Sequence, residues 1–360
     1  MSGMTARERV LKTLKRKGIP DRVPFEISWG AFTPGLMQVF RNRTGSTESP
    51  DVYFDFDTRS VNLNPTRKST SFKRFFDKGI EPDAIFDEWG VGAVRGSKEH
   101  FLKYKYHPLA LCRNVAEVLD FEWPDVTADY RFDGMKDSIG RYRSQGYAVM
   151  GELYQTIFEM AWLLRGMEDF LTDFYLQEGL AHAICEKLTE MRIVQARKYA
   201  SLGVDILRLG DDVCTQTGPM FSKEIYRTFF KERVRRIVQT AKEANPDILV
   251  FIHCDGKVES MVEEFIDIGI DVLNPVQSEC NDLPSLKRAY GDRISFWGGI
   301  GTQSTMPFGS PQEVAAKVRE LKDTLGRGGG LLLAPTHILE PEVPWENVIA
   351  FIEACRSARY

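Results

Sequence analysis

Nowhere in these 360 residues does an apolar run approach the roughly 18 residues needed to cross a bilayer. The six cysteines, at 112, 185, 214, 254, 280 and 355, are widely scattered and include no CxxC pair. A disulfide framework and a thiolate zinc knuckle are therefore both disfavoured. No GxGxxG or Walker loop is present, so the usual phosphate-cradling turns are missing. The 47 basic and 51 acidic side chains are interspersed, giving a formal charge of −4. That leaves no basic block to collect a nucleic-acid backbone. The opening Met-Ser-Gly-Met-Thr-Ala-Arg-Glu-Arg lacks the apolar core of a signal peptide, and the expected location is the cytoplasm.

What the chain does have is a rhythm. From Gly146 onward, short apolar runs rich in β-branched residues end in polar punctuation and are followed by amphipathic helical stretches. Six such runs begin near residues 147, 205, 247, 271, 294 and 330, and Arg22–Ser28 supplies a seventh. An eighth belongs somewhere between Val52 and Val94, a region whose alternation also suits a small antiparallel excursion. Parallel strands alternating with helices close most naturally into a (β/α)8 TIM barrel, so α/β with one domain over 1–360 is expected. Residues 1–18 read as a basic amphipathic helix that caps the barrel. The stretch from about 41 to 125 reads as an insertion covering one mouth.

In such a barrel the chemistry sits where the strands end, because every βα loop converges there. Glu26, Trp29, Glu152, Asp211, Asp212, His253, Asp255, Asn274, Gln277, Thr336 and His337 fall at those ends. Alternation along a strand puts His253 and Asp255 on one face and turns Cys254 away. Together with His337, they can fill three positions of a zinc site and leave a fourth open. The plainer alternative is that both imidazoles are hydrogen-bonding pocket residues. Glu152 and Asp211 are the candidate catalytic carboxylates, Asp211 being read as pocket-facing because it directly follows a strand. Glu26, Trp29, Gln216 and Asn274 are candidate substrate contacts. Glu159 falls at helical spacing and reads as solvated.

These residues also carry a family resemblance. Arg7-Glu-Arg-Val-Leu, Pro20-Asp-Arg-Val-Pro-Phe25, Leu164-Arg-Gly-Met-Glu-Asp-Phe170 and Gly210-Asp-Asp-Val-Cys-Thr-Gln-Thr-Gly-Pro-Met220 are similar to segments of the uroporphyrinogen decarboxylase superfamily. His253-Cys-Asp-Gly256, Asn274-Pro-Val276, Phe296-Trp-Gly-Gly-Ile300 and Leu333-Ala-Pro-Thr-His337 extend the match. The superfamily also contains zinc-dependent corrinoid and coenzyme M methyltransferases. True decarboxylases carry an arginine-rich segment near the first strand for a polycarboxylate substrate. Phe25–Pro34 contains no arginine and places Glu26 where cations are needed.

The methyltransferase branch binds zinc through a His-x-Cys pair and a later Cys. Here His253 matches the His, while Asp255 and His337 stand at the two Cys positions. That donor set is harder and suits polarising an oxygen-bearing substrate rather than activating a thiol. The resemblance thus implies a demethylating methyltransferase that passes a methyl group from a small methylated donor to a separate corrinoid protein. It also favours a homodimer. Two alternatives remain at this stage: a metal-independent decarboxylase of a small carboxylated substrate, and a non-catalytic tetrapyrrole or corrinoid carrier. Nucleic acid and membrane are not expected partners.

Overall fold

The computed structural model describes residues 3–27, 32–70, 72–76, 79–96 and 102–360. Trp29 lies outside these residues. Seven parallel strands form one curled sheet: β1 (Thr58–Val61), β2 (Ala148–Leu153), β3 (Ile206–Gly210), β4 (Leu249–His253), β5 (Val272–Asn274), β6 (Ser295–Ile300) and β7 (Leu331–Pro335). The last six coincide with the six runs read after Gly146. Residues 23–27 supply the missing stave. The Glu26 N–H donates to Leu333 O at 3.0 Å, and the Leu333 N–H donates to Pro24 O at 2.9 Å. On the other side, the Asp57 N–H donates to Phe25 O at 3.2 Å, which closes the eight-membered barrel. Pro24 has no N–H to offer, which keeps this stave short.

Strand alternation sends Ala148, Met150, Ile206, Leu249, Phe251, Val272, Trp297, Leu332 and Ala334 into the barrel interior. Helix α1 (Ala6–Leu14) closes the floor, inserting Val10 and Leu14 into that cluster with no exposed surface. Each such burial stabilises the plug by about 1.5–3 kcal/mol. The helix starts where it does because Thr5 and Glu8 form a capping box. Two buried aspartates then bind it to the staves. Asp57 accepts from Arg9 at 2.6 Å, Arg22 at 2.7 Å and the Phe25 N–H at 2.9 Å. Asp205 accepts from Arg7 at 2.8 Å, Arg143 at 2.6 Å and the Val149 N–H at 3.0 Å.

The region 52–94 does two things at once. Thr58–Val61 is a barrel strand, while Ile85–Phe86, Gly92–Arg95 and Leu102–Tyr106 form a separate antiparallel sheet. Within this region, the alternating run from Val52 to Asp57 is not a strand but a short helix, Pro50–Tyr53, and the turn after it. The 41–125 stretch is thus not purely a cover, since it contributes a stave. Phe54, Phe56 and Trp89 are buried in the outer core. Among the described residues, no helix is long and apolar enough to cross a membrane.

Candidate active site

His253 is the last residue of β4, and its ring orientation is set from behind. Its Nδ1 lies 2.6 Å from Asn274 Oδ1 at the end of β5, and Asn274 Nδ2 donates to Trp297 O at 3.0 Å. A carbonyl only accepts, so the amide must point its NH2 at Trp297 and its oxygen at the imidazole. His253 is thereby fixed with its proton on Nδ1 and its Nε2 directed into the mouth, where the neutral ring would present a lone pair. That lone pair faces carboxylates: Asp255 Oδ1 at 3.6 Å and Asp212 Oδ1 at 3.7 Å. One ligand atom from each of Asp212, His253 and Asp255 lies within 4.8 Å of the others.

Two glycines allow the neighbouring loops to close in. At Gly256, with φ +90°, a Cβ would stand 2.4 Å from Thr215 O; at Gly298, with φ +126°, it would stand 2.1 Å from Pro275 O. The first brings the Cys214–Pro219 hairpin against the loop that carries Asp255, and the second packs β6 beneath the segment following Asn274.

The Asp255 N–H donates to Asp212 Oδ1 at 2.7 Å, which holds the two acidic loops together. Asp255 Oδ1 is buried without a hydrogen-bond donor. Burial raises the Asp255 pKa against the pull of His253, and the Asp212 charge raises it further. A lone pair and two carboxylate oxygens, one lacking a donor, converge on a point that asks for positive charge. The residues therefore fit a divalent cation, and their mixed nitrogen and oxygen donors suit zinc or a harder first-row ion.

His337 lines the same cleft, with its ring centre 6.3 Å from that of His253. Two imidazoles on one tetrahedral ion would have ring centres about 5 Å apart, so His337 stands just outside the cluster. Burial lowers its pKa, opposed by the charge of Asp255. The structure thus brings together His253 and Asp255 of the expected ligand set, and puts Asp212 where His337 was expected.

The Asp211–Asp212 pair divides its work in the opposite sense from the sequence reading. The Asp211 carboxylate turns away from the cleft and accepts the Ile157 N–H at 2.9 Å and the Glu159 N–H at 3.0 Å. It thereby caps the helix Phe158–Arg165 from another loop. Burial raises its pKa to about 6, against those backbone donors. Asp212 is the one that lines the cleft.

Glu152 lies lower, inside the barrel, where it accepts from Ser60 Oγ at 2.7 Å and from the buried Arg208 at 3.2 Å. Glu26 also points inward and accepts from Trp297 Nε1 at 2.9 Å. Desolvation raises its pKa to about 7, against the charge of Arg208. Asn274 stands behind His253 rather than in the cleft. Gln216 is exposed on the Cys214–Pro219 hairpin and donates to Gln277 Oε1 at 3.2 Å. None of these four lines the cleft.

The cleft encloses about 500 Å3 and is lined by Tyr154, Gln155, Glu159, Gly210, Asp212, His253 and His337. Glu159, read from sequence as solvated, is half-buried there. Desolvation, together with the charges of Asp212 and Asp211, raises its pKa to about 9. A cation at the cluster would reverse part of that shift. Helical spacing hid Glu159, whereas its place in the first turn after a barrel strand was the available signal. Tyr154 and Gln155 lie two and three residues beyond the expected strand end at Glu152, outside the set read as candidates.

The fold and this acidic, imidazole-bearing mouth define a barrel with a metal-competent site at its C-terminal rim. The uroporphyrinogen decarboxylase (URO-D) family model matches residues 112–358, and the chain belongs to that family. A uroporphyrinogen decarboxylase from Coxiella burnetii is 22% identical over 184 residues, covering 51% of this chain and 49% of that protein. A methylated-thiol–coenzyme M methyltransferase from Methanosarcina mazei is 25% identical over 245 residues, 66% of this chain and 62% of that protein. The chain thus spans about half to three-fifths of the length of these curated relatives. A solved methyltransferase from Methanosarcina mazei shares the fold, with a TM-score of 0.67 at 17% identity, covering 98% of this chain and 99% of that one.

Proposed function

We propose that this chain is a metal-assisted methyltransferase that moves a methyl group from a small oxygen-bearing donor to the cobalt of a corrinoid protein docked at the barrel mouth. The observation that carries the reading is the Nε2 atom of His253, its ring held by Asn274, facing Asp212 and Asp255. Asp212, His253 and Asp255 would hold a zinc-class ion, with His337 beside it. Such an ion supplies Lewis acidity that draws electron density from the donor oxygen and makes the oxygen a better leaving group.

The chain's own residues do the rest. Asn274 keeps the imidazole in its ligating tautomer, and the Asp255 N–H bond to Asp212 keeps both carboxylates on one side of the cleft. Among the described residues lining the cleft there is no Arg or Lys, so a polyanionic porphyrinogen finds two acidic side chains and no cationic partner.

A second reading, metal-free decarboxylation of a small carboxylated substrate, draws on the two carboxyl groups, Asp212 and Glu159, that share the cleft. One experiment separates the two readings. Metal content is measured on protein purified without chelator, and methyl transfer from methoxy compounds to free cob(I)alamin is followed by absorbance with and without added zinc. Zinc-dependent methylation supports the first reading. Carbon dioxide release in chelator, without methylation, overturns it.

A further inference from the structure

The segment that enters the cleft after β2 is held more firmly than its exposure requires. Arg192, buried in the helix Glu178–Leu202, donates to three successive carbonyls: Tyr154 O at 3.1 Å, Gln155 O at 2.9 Å and Thr156 O at 3.1 Å. Its guanidinium carbon also lies 5.2 Å from the centre of the Trp89 ring, which ties the loop to the covering region. Thr156 is fixed from the other side. Its N–H donates to Gly210 O at 2.8 Å, its hydroxyl donates to Leu153 O at 2.9 Å, and that hydroxyl accepts the Gly210 N–H at 3.0 Å.

Within this clamp Gln155 has φ +50°, a backbone region that a glycine would occupy freely and an L-residue occupies at a cost. All of these bonds are made to the loop backbone or to Thr156, and none uses the Gln155 side chain, which lines the cleft. The remaining polar lining is carboxylates, imidazoles and the Tyr154 phenol, which is hydrogen-bonded to Glu152. An uncharged N–H donor not already committed to the scaffold is what Gln155 adds to this wall.

We infer that Gln155 is the specificity-determining residue of the cleft, donating its side-chain amide N–H to the oxygen of an ether or alcohol methyl donor and so favouring oxygen over sulfur donors. This rests on the methyltransferase reading for its catalytic consequence, although the recognition itself does not. A thioether sulfur is a weak acceptor and gains little from the same amide. Arg192 acts through the loop as a positioning residue.

The test uses the full chain loaded with zinc and a matched pair of probes, methoxybenzene and methylthiobenzene. Turnover is read with cob(I)alamin, and binding is read separately by calorimetry. Gln155→Met keeps length and removes the donor, and Gln155→Gly also relieves the backbone. In both variants kcat/KM and affinity for methoxybenzene should fall about tenfold, the scale of one lost hydrogen bond, with methylthiobenzene unchanged. Equal losses for both probes, or no loss for either, overturn the inference. If wild type turns over neither probe yet binds the ether more tightly through Gln155, the inference stands and the methyltransferase reading falls. If wild type binds both equally, the inference falls whatever the turnover. Arg192→Lys should reduce the ether preference, and a melting curve run alongside separates that effect from unfolding.

Discussion

Asn274 and His253 stand in a fixed donor–acceptor order: the amide oxygen of one receives the Nδ1 proton of the other at 2.6 Å, because the amide nitrogen is already committed to Trp297 O. A single backbone carbonyl, on a third strand, thus decides which imidazole nitrogen looks into the cleft.

The first prediction tests that order. Asn274→Ala should weaken zinc binding 10–100-fold in chelator competition, the usual cost of removing the group that orients a ligating imidazole. Unchanged affinity with intact thermal stability would mean that the ring is oriented by something else.

Asp211 and Asp212, adjacent in sequence, should separate cleanly by substitution. Asp212→Ala should lose bound zinc. Asp211→Ala should cost about 1–2 kcal/mol in denaturant unfolding, through the uncapped start of the helix Phe158–Arg165, while remaining able to bind zinc. The reverse pattern would place the wrong carboxylate in the cleft.

Glu26 should make stability depend on pH. Its folded pKa, raised from 4.5 to about 7, means that the folded chain holds a proton the unfolded chain has released. The contribution is fully present below about pH 4.5 and is lost as pH rises through about 7, amounting to roughly 3 kcal/mol at most. Glu26→Gln keeps an acceptor for Trp297 Nε1 and should flatten the stability profile over that window, as read by urea unfolding at stepped pH. An unchanged profile would count against the burial of this charge.

Asp57→Ala should be among the most damaging single changes outside the cleft. It strips Arg9 and Arg22 of their shared carboxylate and leaves the Phe25 N–H unpaired, at a cost of about 3–5 kcal/mol. Hydrogen exchange should show α1 released before the rest of the barrel opens. Equal protection in mutant and wild type would show that apolar contact alone retains the plug.

Much of the architecture could be read from the residues. Seven staves were legible, six after Gly146 and the one within Arg22–Ser28, because each is an apolar run bounded by polar punctuation, and the floor plug because Val10 and Leu14 fall on one helical face. Thr58–Val61 was harder to place, since Thr-Arg-Ser-Val has no apolar run and its partners lie about 90 residues away. In the site, the proximity of His253 and Asp255 was legible from their i, i+2 spacing at the end of a strand. That of Asp212 was not, because parity ends with the strand, and which of two adjacent aspartates turns inward depends on the unpaired N–H groups of a distant helix. Asn274 was legible only as a polar residue at a strand end, which reads as a ligand contact, whereas its amide is spent on a histidine and a carbonyl from two other strands.

The plug formed by α1 has a consequence for traffic. With that end of the barrel stoppered by Val10 and Leu14, whatever enters, leaves or docks at the barrel interior has only the opposite rim to use. On the proposed reaction, a macromolecule seated there would cover the small molecule's way out, so the donor should enter before it and the product leave after it, and excess acceptor protein should slow turnover rather than saturate it.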